Sequence, residues 1–203
     1  MKYSKIISGT MNWGVWGNNL STKKVADLIT NSIEYGIDTF DNADIYGGYT
    51  TEELFGNGLI ESGIDREKIK IISKFGIIYP SDKLPITVKH YDYSKDHIIK
   101  SVENSLINLK TDYLDCVLMH RPSPIMDINE ISDTVNRLLE SGKIKSFGVS
   151  NFSAQQIQVF ENIVKIDCNQ IQCSLTHLDP IYDGTLDYMQ SKDIKPMAWK
   201  PLG

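Results

Sequence analysis

Four side chains in the first 120 positions, Asp41, Tyr46, Lys74 and His120, could carry out one reaction together. Asp41 opens the stretch Asp41-Asn42-Ala43-Asp44-Ile45-Tyr46-Gly47. Lys74 closes the apolar run Ile71-Ile72-Ser73, and His120 closes Cys116-Val117-Leu118-Met119. A carbonyl group being reduced accepts hydride at carbon and needs a proton at oxygen. A Tyr hydroxyl of ordinary pKa about 10 is a poor donor until a neighbouring cation favours its ionised form. Lys74 can supply that cation, and Asp41 can hold it charged and fixed. His120 can hydrogen-bond the substrate oxygen or relay the proton to Tyr46.

Such a set works only if the fold brings it to one place. Short β-branched runs alternate with segments of helical period, the pattern of a parallel sheet with helical crossovers. Seven candidate strands lie near residues 6–10, 39–41, 70–74, 115–120, 146–150, 169–172 and 196–199. Between them six helices are expected; Ile99, Val102, Leu106 and Leu109 recur at helical spacing, as do Ile131, Val135, Leu138 and Leu139. Thr50 with Glu53 and Ser153 with Gln156 read as capping boxes, and Gly36 and Gly142 as helix stops. A longer stretch from Ile77 to Tyr93, with Pro80 and Pro85, reads as a functional loop.

Repeated βα units with no linker between them predict one α/β domain over residues 1–203, a (β/α)8 TIM-barrel type with about seven of eight strands present. Complete barrels take roughly 250 residues, so the C-terminal strand and helices are expected to be missing. Active sites of such barrels gather at the C-terminal strand ends. Neighbouring strands there stand only about 4.8 Å apart, which lets Asp41, Lys74 and His120 converge.

Composition narrows the partners. The chain is 41% hydrophobic and 23% charged, the balance of a folded domain, and 21 Lys and Arg against 26 Asp and Glu give a net charge of -5. No basic field attracts a nucleic-acid backbone. Apolar runs are too short for a membrane span, and the start lacks the apolar core of a signal peptide, so a cytoplasmic protein is expected. Cys116, Cys168 and Cys173 read as small buried hydrophobes, with no CxxC or Cys/His cluster to bind a metal.

The ordered motifs resemble the aldo-keto reductase superfamily, whose catalytic Asp, Tyr, Lys and His stand on successive strands. Asp41-x-Ala43-x-x-Tyr46-Gly47, Ile72-Ser73-Lys74 and Leu118-Met119-His120 carry the resemblance. It continues in Gly148-Val149-Ser150-Asn151-Phe152, Asn169-Gln170-Ile171 and Ala198-Trp199-Lys200-Pro201-Leu202-Gly203, close to a bacterial branch of predicted oxidoreductases. The resemblance implies NADP(H) as cofactor and a small-molecule carbonyl substrate. It implies that Ser150, Asn151 and Gln170 bind the nicotinamide carboxamide, that Trp199 stacks on the nicotinamide, and that Asp41 adjoins both cofactor and catalytic groups. Thr10 and Met11 would lie along the nicotinamide ribose, and Trp13 would wall the substrate pocket beside Tyr46 and His120. Lys200, where the family commonly has Ser, and Leu202 are carried over as cofactor-binding positions near the pyrophosphate.

Other readings compete. A non-catalytic cofactor-binding or regulatory module would keep the same four residues as an inherited constellation. An inactive fragment with an unclosed barrel would expose strand edges and invite self-association. A phosphate-binding isomerase or aldolase barrel could form a Schiff base on Lys74, a reading that the set of Asp41, Tyr46, Lys74 and His120 argues against. Singly, Lys74 could snorkel and Asp41 cap a loop. His90, His97 and His177 read as solvated or capping, Tyr3, Tyr79, Tyr91 and Tyr93 as loop packing, and Asp44, Tyr49 and Arg121 as candidates for the rim.

Overall fold

The β-branched runs and amphipathic segments form parallel strands and their crossover helices in a computed structural model that describes residues 3–203. Met1 and Lys2, part of the start read for a leader, lie outside the described residues. In chain order the strands are β1 (Ser8–Gly9), β2 (Thr39–Asp41), β3 (Lys70–Phe75), β4 (Ile77–Ile78), β5 (His90–Tyr91), β6 (Cys116–Met119), β7 (Phe147–Ser150), β8 (Cys168–Gln172) and β9 (Lys195–Trp199). The helices are α1 (Thr22–Glu34), α2 (Thr51–Ser62), α3 (Lys95–Leu109), α4 (Ile128–Glu140), α5 (Ala154–Gln158), α6 (Asp179–Tyr182) and α7 (Thr185–Ser191).

Seven strands make one parallel sheet in the order β1-β2-β3-β6-β7-β8-β9. This is the α/β architecture of a (β/α)8 barrel with seven of its eight strands, and among the described residues β1 and β9 each pair on one side only. The strand expected over 6–10 shortens to two residues, because only Ser8 and Gly9 find ladder partners, in Phe40 and Asp41. The stretch expected as a loop from Ile77 to Tyr93 instead carries an antiparallel hairpin, Ile77 opposite Tyr91 and Ile78 opposite His90.

Strand pleating sorts the side chains into two layers. Phe40, Ile71, Phe75, Val117, Met119, Phe147 and Val149 join the core under the helices, together with Val25, Phe55, Val102, Val135 and Leu138. Ile72, Cys116, Leu118, Cys168 and Met197 take the other parity and fill the inside of the curled sheet, with Tyr3 and Ile7 against them. On α3 the buried stripe runs through Ile98, Val102 and Leu109, one residue off the expected start at Ile99. Burial of Cys116 and Cys168 fits their reading as hydrophobes, while Cys173 is half-buried.

Helix ends divide by chemistry. Ser153 and Gln156 form the expected capping box at α5. Thr50 does not cap α2: its backbone is already helical, and its hydroxyl donates to the Gly47 carbonyl at 2.7 Å. That bond ties down the segment that carries Tyr46, where Gly47 and Gly48 both adopt positive φ (60° and 62°), a conformation costly for other residues. Gly36 and Gly142 follow α1 and α4 in the same left-handed region, as expected of helix stops.

Beneath this segment lies a buried polar cluster. Asp44, read from the sequence as a rim residue, is enclosed. Its carboxyl accepts from the Ile45 N–H at 2.7 Å and from Ser101 of α3 at 2.7 Å. Glu52 of α2 is equally buried and accepts from Ser73 of β3 at 2.6 Å. Burial, then the nearby Glu52 charge, pushes the Asp44 carboxyl up to about 8. The folded state therefore holds a proton that the unfolded chain, with an ordinary Asp near 3.8, releases. Stability should fall as pH rises between those values and level off above about 8. Asp44→Asn keeps an acceptor and removes the titration. Its stability relative to the parent, from urea unfolding, is expected to grow from pH 5 to pH 8, and a pH-independent difference would contradict the assignment.

Candidate active site

Pleat parity carries the chemistry as well as the core. Counting by twos from Ile72 to Lys74, and from Cys168 to Gln170, leads from the inner apolar layer to its polar C-terminal rim. The register Lys74 to Leu118, Ser150 to Gln170 and Gln172 to Trp199 brings these strand ends to one side. There a cavity of about 1350 Å³ opens, lined by Asp41, Tyr46, His120, Ser150, Gln170 and Trp199 among others.

Lys74 lies behind Asp41 and Tyr46 of that lining, 1% exposed. Its ammonium donates to Asp41 Oδ1 at 2.7 Å, to the Asn42 carbonyl at 2.7 Å and to the Tyr46 hydroxyl at 3.0 Å. Three acceptors match the three donors of an ammonium group. Burial alone would pull the Lys74 pKa down, but the Asp41 charge and then Tyr46 outweigh it and leave it above the ordinary value. The cation is therefore permanent at neutral pH. Asn42 in turn is held by Thr10, whose hydroxyl donates to Asn42 Oδ1 at 2.8 Å, with a second contact to the Asp41 carbonyl.

Tyr46 differs from the sequence expectation. Burial pushes its hydroxyl pKa up by more than Lys74 pulls it down, with Asp41 adding to the rise. Lys74 thus limits the increase instead of producing a net acidic phenol, and Tyr46 stays protonated at neutral pH. His120 stands edge-on to the Tyr46 ring, centroids 6.1 Å apart. Burial, then Lys74, Arg121 and Lys89, hold the imidazole well below its ordinary pKa, so it is neutral. Its Nδ1 is buried without a protein partner.

On the opposite wall the Ser150 hydroxyl donates to the Gln170 carbonyl at 3.0 Å and accepts from Asn151 Nδ2 at 2.8 Å. The Trp199 indole N–H donates to Asn151 Oδ1 at 2.8 Å, which fixes the ring beside that amide. Asn151 adopts φ of 60°, a left-handed conformation that Asn tolerates. Gln170 lines the cavity with its side-chain amide unbonded to protein among the described residues. Donor-acceptor groups and a planar indole on one wall fit a nicotinamide, and Lys200, also on the lining, fits a phosphate.

Three expected residues lie elsewhere. Thr10 is fully buried behind Asn42, and Met11 beside it lines the cavity. Leu202 is 99% exposed and off the lining. Trp13 turns away: its ring packs on Phe40 and Phe55, because bonds from Gly17 to Gly14 and from Asn18 to Asn12 coil the loop. Trp16 takes the wall position, 6.4 Å from the Tyr46 ring and 5.1 Å from Tyr79. Two Trp residues three apart gave the only sequence signal for this choice. The Asn42 carbonyl was missed because backbone acceptors leave no mark in side-chain types. Tyr49 serves the hairpin by accepting the Tyr79 N–H at 2.8 Å.

Removing the cation should strand the Asp41 charge in a buried site. Lys74→Met is expected to cost about 3–5 kcal/mol, read from urea unfolding, and Asp41→Asn in the same chain should restore part of the loss. A Lys74→Met chain as stable as the parent would refute the buried pair.

Known proteins are similar to this chain over most or all of its length. The model of the Aldo/keto reductase family matches residues 5–203. The uncharacterized oxidoreductase YcsN of Bacillus subtilis is 45% identical over 100% of this chain and 68% of its own length. A 6-dehydroglucose reductase of Agrobacterium fabrum is 40% identical over 94% of this chain and 67% of its own. Among solved structures, an aldo/keto reductase from Klebsiella pneumoniae in complex with NADP and acetate aligns with a TM-score of 0.78 at 26% identity. That alignment covers 97% of this chain and 64% of the other. The chain spans about two thirds of the length of these relatives, and on family model, sequence and fold alike it belongs to the aldo/keto reductase family of oxidoreductases.

Proposed function

We propose that the protein reduces an aldehyde or ketone to an alcohol with NADPH, and that Tyr46 is the proton donor. The observation that carries this reading is the Lys74 ammonium shared between Asp41 Oδ1 at 2.7 Å and the Tyr46 hydroxyl at 3.0 Å, behind the lining of a cavity large enough for cofactor and substrate. A reduced nicotinamide held against Trp199 by Gln170 and its neighbours Ser150 and Asn151 would supply hydride to the carbonyl carbon. The remaining steps belong to the chain. Neutral His120 donates a hydrogen bond to the carbonyl oxygen and orients it towards Tyr46. As negative charge develops on that oxygen, the Tyr46 proton moves to it, and the tyrosinate left behind is stabilised by Lys74. Asp41 keeps Lys74 in place through the cycle, and solvent returns the proton to Tyr46. Lys200 supports NADPH by offering a cation for its phosphates.

A protonated Tyr46 suits the reductive direction, because the donor must carry its proton when hydride arrives. The rate should decline only where Tyr46 ionises, above its ordinary range of about 10. Self-association through the single-sided edges of β1 and β9 belongs to the same proposal and is readable by light scattering.

Tyr46→Phe deletes the transferred proton and leaves the Trp199 wall untouched. NADPH oxidation with an aldehyde should fall by about 100-fold or more, while NADPH titration gives an affinity close to that of the parent. Undiminished turnover in this variant would overturn the role of Tyr46. Tight NADPH binding with no turnover by the parent on any carbonyl would favour a regulatory cofactor-binding module instead.

A further inference from the structure

The charge of the cavity runs against the charge of the chain. Acidic residues outnumber basic ones 26 to 21 in the sequence. On the cavity lining, however, Lys5, Lys89, Arg121, Lys195 and Lys200 face a single carboxylate, Asp41, and Asp41 is engaged by Lys74. Lys195 pairs with Asp193, towards the N-terminal end of β9. Lys200 is given to the cofactor phosphates in the reading above. Lys89 and Arg121 have no ion-pair or side-chain hydrogen-bond partner among the described residues, yet both stand on the catalytic side.

Their placement follows from the fold. Arg121 is the residue after His120, so the strand that delivers the imidazole also delivers the guanidinium. The Tyr93 hydroxyl donates to the Arg121 carbonyl and pins its backbone. The guanidinium carbon lies 5.7 Å from the centre of the Trp199 ring, so the side chain reaches across the mouth from His120 towards the opposite wall. Lys89 immediately precedes β5, and the β4–β5 hairpin that leaves the end of β3 carries it to the lining beside Tyr79 and Tyr91. Both cations lie close enough to His120 to contribute to its low pKa. A Lys and an Arg with no ion-pair partner among the described residues, within electrostatic reach of the reacting oxygen and on a lining that also carries Trp16, Tyr79, Tyr91 and Trp199, suit an anion.

We infer that the substrate is an anionic carbonyl compound, an aldehyde or ketone bearing a carboxylate, and that Arg121 with Lys89 binds the carboxylate while Tyr46 and His120 take the carbonyl oxygen. The inference rests on the reductase reading for the carbonyl end alone. Arg121 is suited to a planar carboxylate through its two-pronged donor edge, and Lys89 adds a point charge from the hairpin. The carboxylate also selects orientation, since only one end of the substrate meets the cations.

The test uses unreactive product-like probes on the purified 203-residue chain, so that binding is separated from turnover. 4-(Hydroxymethyl)benzoate and neutral 4-methylbenzyl alcohol are titrated by calorimetry into the parent and into Arg121→Gln and Lys89→Gln/Arg121→Gln chains. The carboxylate is expected to bind the parent about tenfold or more tightly than the neutral alcohol. The ratio should shrink as salt rises from about 0.05 to 0.5 M and approach unity in the double variant. An equal affinity for the two probes, a ratio that survives the double variant, or no binding of the carboxylate at millimolar concentration would each overturn the inference. So would an Arg121→Gln chain that loses NADPH affinity as strongly as carboxylate affinity, since that assigns the cation to the cofactor. A carboxylate preference in a chain that never oxidises NADPH would refute the reductase reading and leave the anion receptor standing.

Discussion

A fully buried ammonium is the constraint on which the rest of this structure turns. Lys74 stands inside a curled sheet at the place where apolar filling ends, and water cannot satisfy it there. Burial of an isolated charge in such a setting costs several kcal/mol. The Asp41 carboxylate, the Asn42 carbonyl and the Tyr46 hydroxyl replace the lost hydration, one acceptor for each proton. All three come from the end of β2 and the segment behind it, so the ion pair also dictates how that segment leaves the sheet. Gly47 and Gly48 supply the left-handed backbone it requires, and Thr50 and the Asp44–Ser101 bond hold its far side.

The arrangement gives one structural interaction two consequences. It stitches β2 to β3 at their C-terminal ends, and it presents a protonated phenol to a cavity whose one carboxylate among the described residues, Asp41, is already engaged by Lys74. Burial, and then the charges of Lys74 and Arg121, hold the His120 pKa low, so it is an imidazole with a proton to share in a hydrogen bond. In the proposed reaction, charge developing on an oxygen between Tyr46 and His120 would meet Lys74 behind and Arg121 beside it. Lys74 is fixed by its three acceptors, so its part of that field is preorganised by the fold.

Much of this was legible in the sequence because strand ends are marked by type. A Lys after Ile-Ile-Ser, a His after four apolar residues and an Asp after Thr-Phe can each end a parallel strand, and the sheet places all three together. The repeating βα period likewise fixed the order of the seven main strands. Features decided by loop geometry were not legible. Nothing in Trp13-Gly14-Val15-Trp16 tells which indole enters the core, and Thr50 matches a cap in spacing while its backbone is already helical. The Ile77–Tyr91 hairpin has strands of two residues, below any periodic signal. Asp44 looked like a rim residue because a buried carboxyl needs partners, and Ser101 lies 57 positions away. The net rise at Tyr46 was hidden for a related reason: its neighbours in sequence reveal the cation but not the depth of burial.

The most direct test of the account follows the hydride itself. NADPH carrying deuterium at the transferable C4 position would be incubated with the chain and an aldehyde, and the alcohol recovered for mass spectrometry. The predicted product carries one deuterium, located on the carbinol carbon, and none retained at its hydroxyl, whose proton exchanges with solvent as in any alcohol. An alcohol without the label, or no alcohol from a folded chain that binds NADPH, would contradict the account.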